Sequence, residues 1–219
     1  KNKLFGAEHT FAPGWTFGPS QIDVRTSKST NLLLESLIDY DKTFGNHHLH
    51  VLGGFSNEKY DGEWMGGYRD NVPTNKLHVL SAASSENDSN YESGATWKLL
   101  SYFGRVNYSF QDKYLLEGNL RYDGSSRFAE DNRYGLFPSF SAAWIISEEN
   151  FFQVPWIEVL KLRGSYGILG NQEIGTYPYH KILDLGDIYV VGDSESIQPA
   201  IELSRLPFQD ITWESTKIT

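Results

Sequence analysis

Three histidines, His47, His48 and His50, fall within four residues, and on a strand His48 and His50 point the same way. Two imidazoles on one face are the start of a zinc site, yet no third ligand lies nearby in sequence. The pair therefore reads as polar groups beside a short turn. Glu148 and Glu149 invite a catalytic reading as paired carboxylates. Adjacent carboxylates at a turn cannot flank one glycosidic bond, as a hydrolase pair must. They read instead as a solvated turn that opens with Ser147 and packs Phe151 and Phe152 against a rim. Gly170-Asn171-Gln172 lacks the spacing of a phosphate loop. Asn87-Asp88-Ser89 and Asn107-Tyr108-Ser109 match a glycosylation triplet, but Asn107 sits within a strand pattern, and both are discarded. Asp123-Gly124-Ser125-Ser126-Arg127 reads as a turn, with the Asp side chain on backbone amides and Gly at positive φ. With no cysteine, thiolate nucleophiles and Cys-type zinc sites are absent too. No acid, base and nucleophile converge, so no catalytic residue, metal ligand or cofactor site is assigned.

Aromatic side chains are the better binding candidates. Tyr60, Trp64, Tyr68, Tyr91, Tyr177 and Tyr179, with Tyr189, lie on segments that read as long loops beside Asp61, Glu63 and Asp70. Aromatics next to acidic groups suit stacking on sugar faces with hydrogen bonds to hydroxyls. They equally suit packing between loops, or a docked lid. The chain of 219 residues carries a net charge of -9, which argues against nucleic acid as a partner. Its 13 Tyr, 13 Phe, 6 Trp and 20 Gly favour an all-β protein in which Tyr and Trp straddle polar and apolar media.

The elements that must hold these groups are strands. Period-two alternation recurs along the whole chain, and helical periodicity is nearly absent. From Leu100 to Phe110, Leu100, Tyr102, Gly104, Val106, Tyr108 and Phe110 share a face opposite Ser101, Phe103, Arg105, Asn107 and Ser109. After a turn at Gln111-Asp112-Lys113, Tyr114, Leu116, Gly118, Leu120 and Tyr122 alternate with Leu115, Glu117, Asn119, Arg121 and Asp123. Folding about Asp112 pairs Phe110 with Tyr114, Val106 with Gly118, Tyr102 with Tyr122, Asn107 with Glu117 and Arg105 with Asn119. Further strands are read at Leu32–Tyr40, His48–Phe55, Ser139–Ile146 and Leu160–Ile168, with a seventh starting near Ile211.

The longest apolar run, Ala142–Ile146, is far short of the roughly 20 residues that a membrane helix needs. If the chain spans a bilayer, it does so as a closed barrel. Tyr114 and Tyr122 are roughly 26 Å apart along a strand, about 20 Å along the normal of a tilted one, which suits two aromatic girdles. Tyr40, Tyr102, Phe110, Tyr114, Tyr122, Trp144 and Tyr166 are the candidate girdle facing lipid. Short connections alternate with long ones, residues 1–29, 56–95 and 169–210 being long loops expected on the extracellular side. Cysteine probes at Ser89 and Ser194 are expected to report that side, and one at Asp112 the other. About seven strands cannot close a membrane barrel, and both ends of the chain read as cuts. A soluble carbohydrate-binding β-sandwich stays open as the alternative, since its apolar face would alternate in the same way.

Gly104-Arg105-Val106-Asn107-Tyr108, Asp112-Lys113-Tyr114-Leu115-Leu116 and Arg121-Tyr122-Asp123-Gly124-Ser125-Ser126-Arg127-Phe128 together resemble the barrel of SusC/RagA-type TonB-dependent outer-membrane transporters. Gly135-Leu136-Phe137-Pro138-Ser139, Ala143-Trp144, Leu160 to Gly167 and the Trp213-Glu214-Ser215-Thr216-Lys217 run are similar to the same family, as are Tyr40–Gly45 and Leu49–Gly54. The resemblance implies that residues 1–219 are a middle part of an antiparallel up-and-down barrel of about 22 strands with a plugged lumen. It also implies import of a nutrient, oligosaccharide or peptide, across the outer membrane of a Gram-negative bacterium. A SusD-like lipoprotein lid and TonB would be partners, TonB acting through the plug and TonB box that these residues do not include.

Overall fold

The computed structural model describes residues 2–219 except 7, 8, 13, 14, 18, 75, 185–187, 192–195, 200 and 201, with backbone alone for most of 2–17 and 182–205. Ser194 and the side chain of Tyr189 therefore lie outside the described residues. In chain order the strands are β1 (Asn2–Gly6), β2 (His9–Ala12), β3 (Trp15–Phe17), β4 (Gln21–Phe44), β5 (His47–Asp70), β6 (Ser89–Phe110) and β7 (Tyr114–Ser125). They continue as β8 (Tyr134–Ile145), β9 (Lys161–Asn171), β10 (Ile182–Asp184), β11 (Ile188–Val191), β12 (Ser196–Pro199), β13 (Glu202–Arg205) and β14 (Glu214–Ile218). Eight of them form one antiparallel sheet in the order β1-β4-β5-β6-β7-β8-β9-β14; β2-β3, β10-β13 and β11-β12 are separate two-stranded pairs. The described residues hold no α-helix, only three short 3₁₀ turns.

The chain divides into two compact units. The first comprises Lys1–Leu32 and Tyr60–Thr96. In it β1 pairs with the start of β4, from Asn2↔Arg25 to Gly6↔Gln21. The connection between β5 and β6 folds back as a 3₁₀ turn at Leu80–Ala82, and Ile22, Val72 and Ala83 make a small core with Val24 and Leu80. The buried Ser20 hydroxyl fixes this cap by donating to the Val72 carbonyl (3.0 Å) and accepting from the Val72 amide (2.9 Å).

Two of the expected loops are much shorter than their sequence suggests. Residues 56–70 belong to β5 and 89–95 to β6, which leaves a connection of residues 71–88 in place of 56–95. Likewise β4 starts at Gln21, within the stretch expected to be loop through residue 29. These strand segments carry Gly, Asp, Glu, Asn and Lys, so alternation does not mark them. The hydrogen-bond ladder holds them as strand nonetheless.

The second unit comprises Leu33–Lys59 and Trp97–Thr219. Its β6–β7 hairpin has the register that the alternation predicts: Phe110↔Tyr114, Val106↔Gly118, Tyr102↔Tyr122, Asn107↔Glu117 and Arg105↔Asn119. Gln111 and Asp112 both take positive φ (52° and 55°), and the Lys113 amide donates to the Phe110 carbonyl (3.1 Å). Positive φ at both positions, with this closing hydrogen bond, makes a tight left-handed turn between the two antiparallel strands. Gly45 (φ 62°) turns β4 into β5. Registers continue through Tyr114↔Trp144 and Gly118↔Phe140 to Phe140↔Tyr166, and β14 closes the row from Glu214↔Asn171 to Ile218↔Gly167. β14 thus begins at Glu214, three residues beyond the expected Ile211.

Two faces result, because side chains alternate across a pleated strand. Tyr102, Val106, Leu116, Leu120, Tyr122 and Phe140 stand exposed on one face. Exposed apolar side chains on an ordered sheet need a non-aqueous neighbour. The opposite face carries the polar series Arg105, Asn107, Glu117, Asn119 and Arg121.

Candidate functional site

In the first unit, three of the predicted binding aromatics stand on strands rather than loops: Tyr60, Trp64 and Tyr68 on β5. Tyr91, the fourth, stands on β6. Trp64 and Tyr91 come together edge to face, with centroids 5.8 Å apart. Arg25 lies over the Trp64 ring at 4.1 Å from its centroid, a cation–π contact. The Tyr91 hydroxyl donates to Asp23 at 2.5 Å. Asp23 and Arg25, two apart on β4, were missed by motif reading, although that spacing places both on one face. Tyr68 stays apart and donates to Gln21 (3.2 Å), while the Tyr60 hydroxyl lies over Gly62. Asp61 accepts from Thr96 (2.9 Å), and buried Asp70 accepts from Asn87 (3.0 Å). Asp61 and Asp70 are thus engaged within the fold.

In the second unit the polar face is cross-linked. Arg105 Nε donates to Asn119 Oδ1 (2.7 Å), and Asn119 Nδ2 donates to Glu117 (2.8 Å). Arg121 donates through Nε to Asp123 (2.7 Å) and through Nη2 to Ser101 (2.9 Å). His48 pairs with Asp41 (3.0 Å) and His50 with Asp39 (2.7 Å), so each imidazole has its own carboxylate on β4. Among the described residues no three His, Asp or Glu side chains converge as a metal site. A groove of about 600 Å³ lies over this face, with Phe103, Arg105, Glu117, Arg121 and Arg163 among its walls.

The run at Asp123–Arg127 is structural, but not in the expected way. Gly124 does not adopt positive φ, and the Asp123 carboxylate takes the Arg121 guanidinium rather than backbone amides. Ser125 and Ser126 do the turning: the Ser126 hydroxyl accepts from the Lys98 amide (2.9 Å), and that of Ser125 accepts from the Arg127 amide (3.2 Å). Arg127 stacks over Trp97 (5.2 Å), meets Glu173 (3.2 Å) and donates to the Ile174 carbonyl. It thereby pins the connection that carries Tyr177 and Tyr179. Those two tyrosines meet edge to face at 6.0 Å, and the Tyr179 hydroxyl donates to the Ser126 carbonyl (3.3 Å).

Three of the seven candidate girdle residues, Phe110, Tyr114 and Trp144, stand in a connected row at the short-turn end, which Phe44 and His47 extend. Phe44 stacks on His47 (5.5 Å), His47 meets Phe110 (4.8 Å), Phe110 meets Tyr114 (6.3 Å), and Tyr114 stacks on Trp144 (6.3 Å). At the other end Tyr102 packs on Phe55 (5.3 Å) and Tyr122 on Tyr134 (5.1 Å). Tyr40 and Tyr166 are exposed on their strands. Glu149 is a hub rather than a solvated turn residue. Its carboxylate accepts from Tyr114 (2.7 Å), Trp144 (3.1 Å) and Lys113 (3.4 Å). These bonds, the Tyr114 hydroxyl first, hold its pKa below the ordinary carboxylate value. Nothing in the sequence marks this role.

A sheet with one polar and one apolar face, bounded by aromatics and built from antiparallel neighbours, has a direct match among known families. The family model for the TonB dependent receptor-like β-barrel covers residues 3–168. The chain belongs to that family. TonB-dependent receptor P3 of Formosa agariphila is 33% identical over 193 residues, which is 86% of this chain and 19% of that protein. TonB-dependent receptor SusC of Bacteroides thetaiotaomicron is 34% identical over 181 residues, 78% of this chain and 17% of that one. The chain thus spans about a fifth of the length of the curated relatives it matches. The fold matches the structure of the RagAB peptide transporter at TM-score 0.78 and 24% identity, over 90% of this chain and 22% of that one. The strands are therefore part of a TonB-dependent receptor barrel, of a family of Gram-negative outer-membrane proteins that includes SusC. The soluble sandwich is set aside, because the family's sheet closes on itself instead of packing on a second sheet.

Proposed function

We propose that this chain is barrel wall in an outer-membrane, TonB-energised importer of oligosaccharide or peptide, working with a SusD-like lipoprotein lid. The observation that carries the reading is the two-faced sheet within this family: an apolar face edged by aromatics for lipid, and a hydrogen-bonded polar face for a lumen. The Trp64–Tyr91–Arg25 cluster offers an aromatic edge and a guanidinium, which suit sugar faces and hydroxyls as well as peptide carbonyls and aromatic side chains. Tyr177 and Tyr179, on a connection held by Arg127, are candidate contacts for substrate or lid. The RagAB peptide transporter, a fold neighbour, supports the peptide class, and the oligosaccharide class is what the resemblance to SusC-type transporters implies.

The connections at residues 71–88, 126–133 and 172–213 are assigned to the extracellular side, and the tight turns at Gly45 and Asp112 to the periplasmic side. Deleting the full-length gene and growing the strain on single glycans and single peptides as sole nutrient tests the reading. Loss of growth on one such class, restored by the gene, is expected; undiminished growth and uptake on every one would overturn it.

A further inference from the structure

The three connections at the short-turn end of the second unit are unlike one another. Gly45-Asn46 and 111–113 are tight, whereas β8 ends at Ile145 and β9 begins at Lys161, leaving fifteen residues between. Yet this long connection is firmly held. The amides of Ile146 and Ser147 donate to the Leu160 carbonyl (2.8 and 3.2 Å), and the Phe152 amide donates to that of Glu149 (2.9 Å). The Glu149 carboxylate then ties the segment to Tyr114, Trp144 and Lys113. A second tight turn, closed by the Ile157 amide on the Val154 carbonyl (3.1 Å), puts Pro155 and Trp156 at its apex.

What this braced segment displays is apolar. Trp156 is 82% exposed, Phe151 69% and Val159 67%. An ordered loop that holds an indole in water loses the burial that normally stabilises such a ring, so a non-aqueous neighbour is called for. The aromatic belt indicates which neighbour. Phe151 meets Trp144 edge to face (6.4 Å), and through Trp144, Tyr114, Phe110 and His47 it continues the belt on the apolar face. An indole beside that belt, with an N–H to hydrogen-bond and an apolar ring to bury, suits the boundary between headgroups and acyl chains.

We propose that residues 146–160 form an interfacial anchor that seats Phe151, Trp156 and Val159 in the phospholipid surface at the short-turn rim of the barrel. This rests on the reading of the apolar face as the lipid face. The test uses the full-length protein with Trp156→Cys or Leu116→Cys, each labelled with bimane. It is reconstituted in vesicles of phosphatidylethanolamine and phosphatidylglycerol whose lipids carry a nitroxide high on the acyl chain. Leu116 lies on the apolar face of β7, two positions inside the Tyr114 end of the strand, and serves as the reference. Both labels are expected to lose most of their emission to the lipid nitroxide and to resist aqueous iodide. A quenched Leu116 label with a Trp156 label open to iodide would overturn the anchor and leave the barrel reading standing. A Trp156 label shielded from both quenchers would also overturn it, by showing that protein covers the loop. An unquenched Leu116 label would overturn the lipid-face reading itself. Phe151→Cys repeats the measurement if the Trp156 variant fails to assemble.

Discussion

Val106 stands directly opposite Gly118 across β6 and β7, and a Cβ added at Gly118 would meet no atom within 4 Å. Gly54 is the reverse case: its Cβ would fall 2.3 Å from the Phe103 ring and 2.8 Å from Leu37. Gly118→Leu should leave assembly of the full-length barrel near wild type, within about 0.5 kcal/mol, as open positions do. Gly54→Ala should cost about 1–3 kcal/mol, because a packed ring must move. Urea midpoints of the purified protein in detergent compare the two, and equal losses would contradict the assignment of faces.

Arg127 joins three things: the Trp97 ring, the Glu173 carboxylate and the Ile174 carbonyl. Arg127→Ala should cost roughly 1.5–3 kcal/mol through lost charge-assisted bonds from a buried guanidinium. Arg127→Lys should not restore it, since an ammonium neither stacks nor forks. Hydrogen exchange over residues 172–181 is the readout. Unchanged protection in both variants would remove Arg127 from its role as a clamp.

The Glu149 carboxylate carries the pH dependence. Its folded pKa is depressed, so the stability it contributes is fully present above the unfolded carboxylate value. That contribution is lost as pH falls through the lowered folded value. Wild type should therefore melt higher than Glu149→Gln at neutral pH, with the gap closing as the solution is acidified. A gap that stays constant on acidification would show that the charge of Glu149 contributes nothing.

Alternation was informative only where one face is apolar. In β6 and β7 the Tyr, Val, Leu and Phe side chains fall on every second position, and the register could be read to the residue. In β5 beyond Phe55, Asn57, Glu58, Lys59, Asp61 and Glu63 interrupt that pattern. The sequence then resembles a loop although the strand runs to Asp70. Turn chemistry was legible at Gln111-Asp112 but misleading at Asp123-Gly124, where Arg121, two positions back on the same strand, captured the carboxylate expected to cap the backbone. Contacts between distant segments, such as Arg25 on Trp64 or Glu149 on Tyr114, carry no local signal and appear only in the fold.

The central claim, that the apolar face meets lipid and the polar face a lumen, is tested most directly by two charges on adjacent strands. Leu116 lies on the exposed apolar face of β7. Ser141 on β8 pairs with Glu117 on the opposite face. In the full-length protein, Leu116→Arg should reduce assembled barrel in the outer membrane by an amount matching roughly 1–3 kcal/mol, the cost of Arg between the interface and the bilayer midplane. Ser141→Arg, set against Glu117, should cost about 1 kcal/mol or less. The measurement is the fraction of heat-modifiable, folded barrel in outer-membrane preparations of each variant. Loss with Leu116→Arg and near wild-type assembly with Ser141→Arg is the expected result; tolerance of Leu116→Arg with loss on Ser141→Arg would show the faces to be reversed.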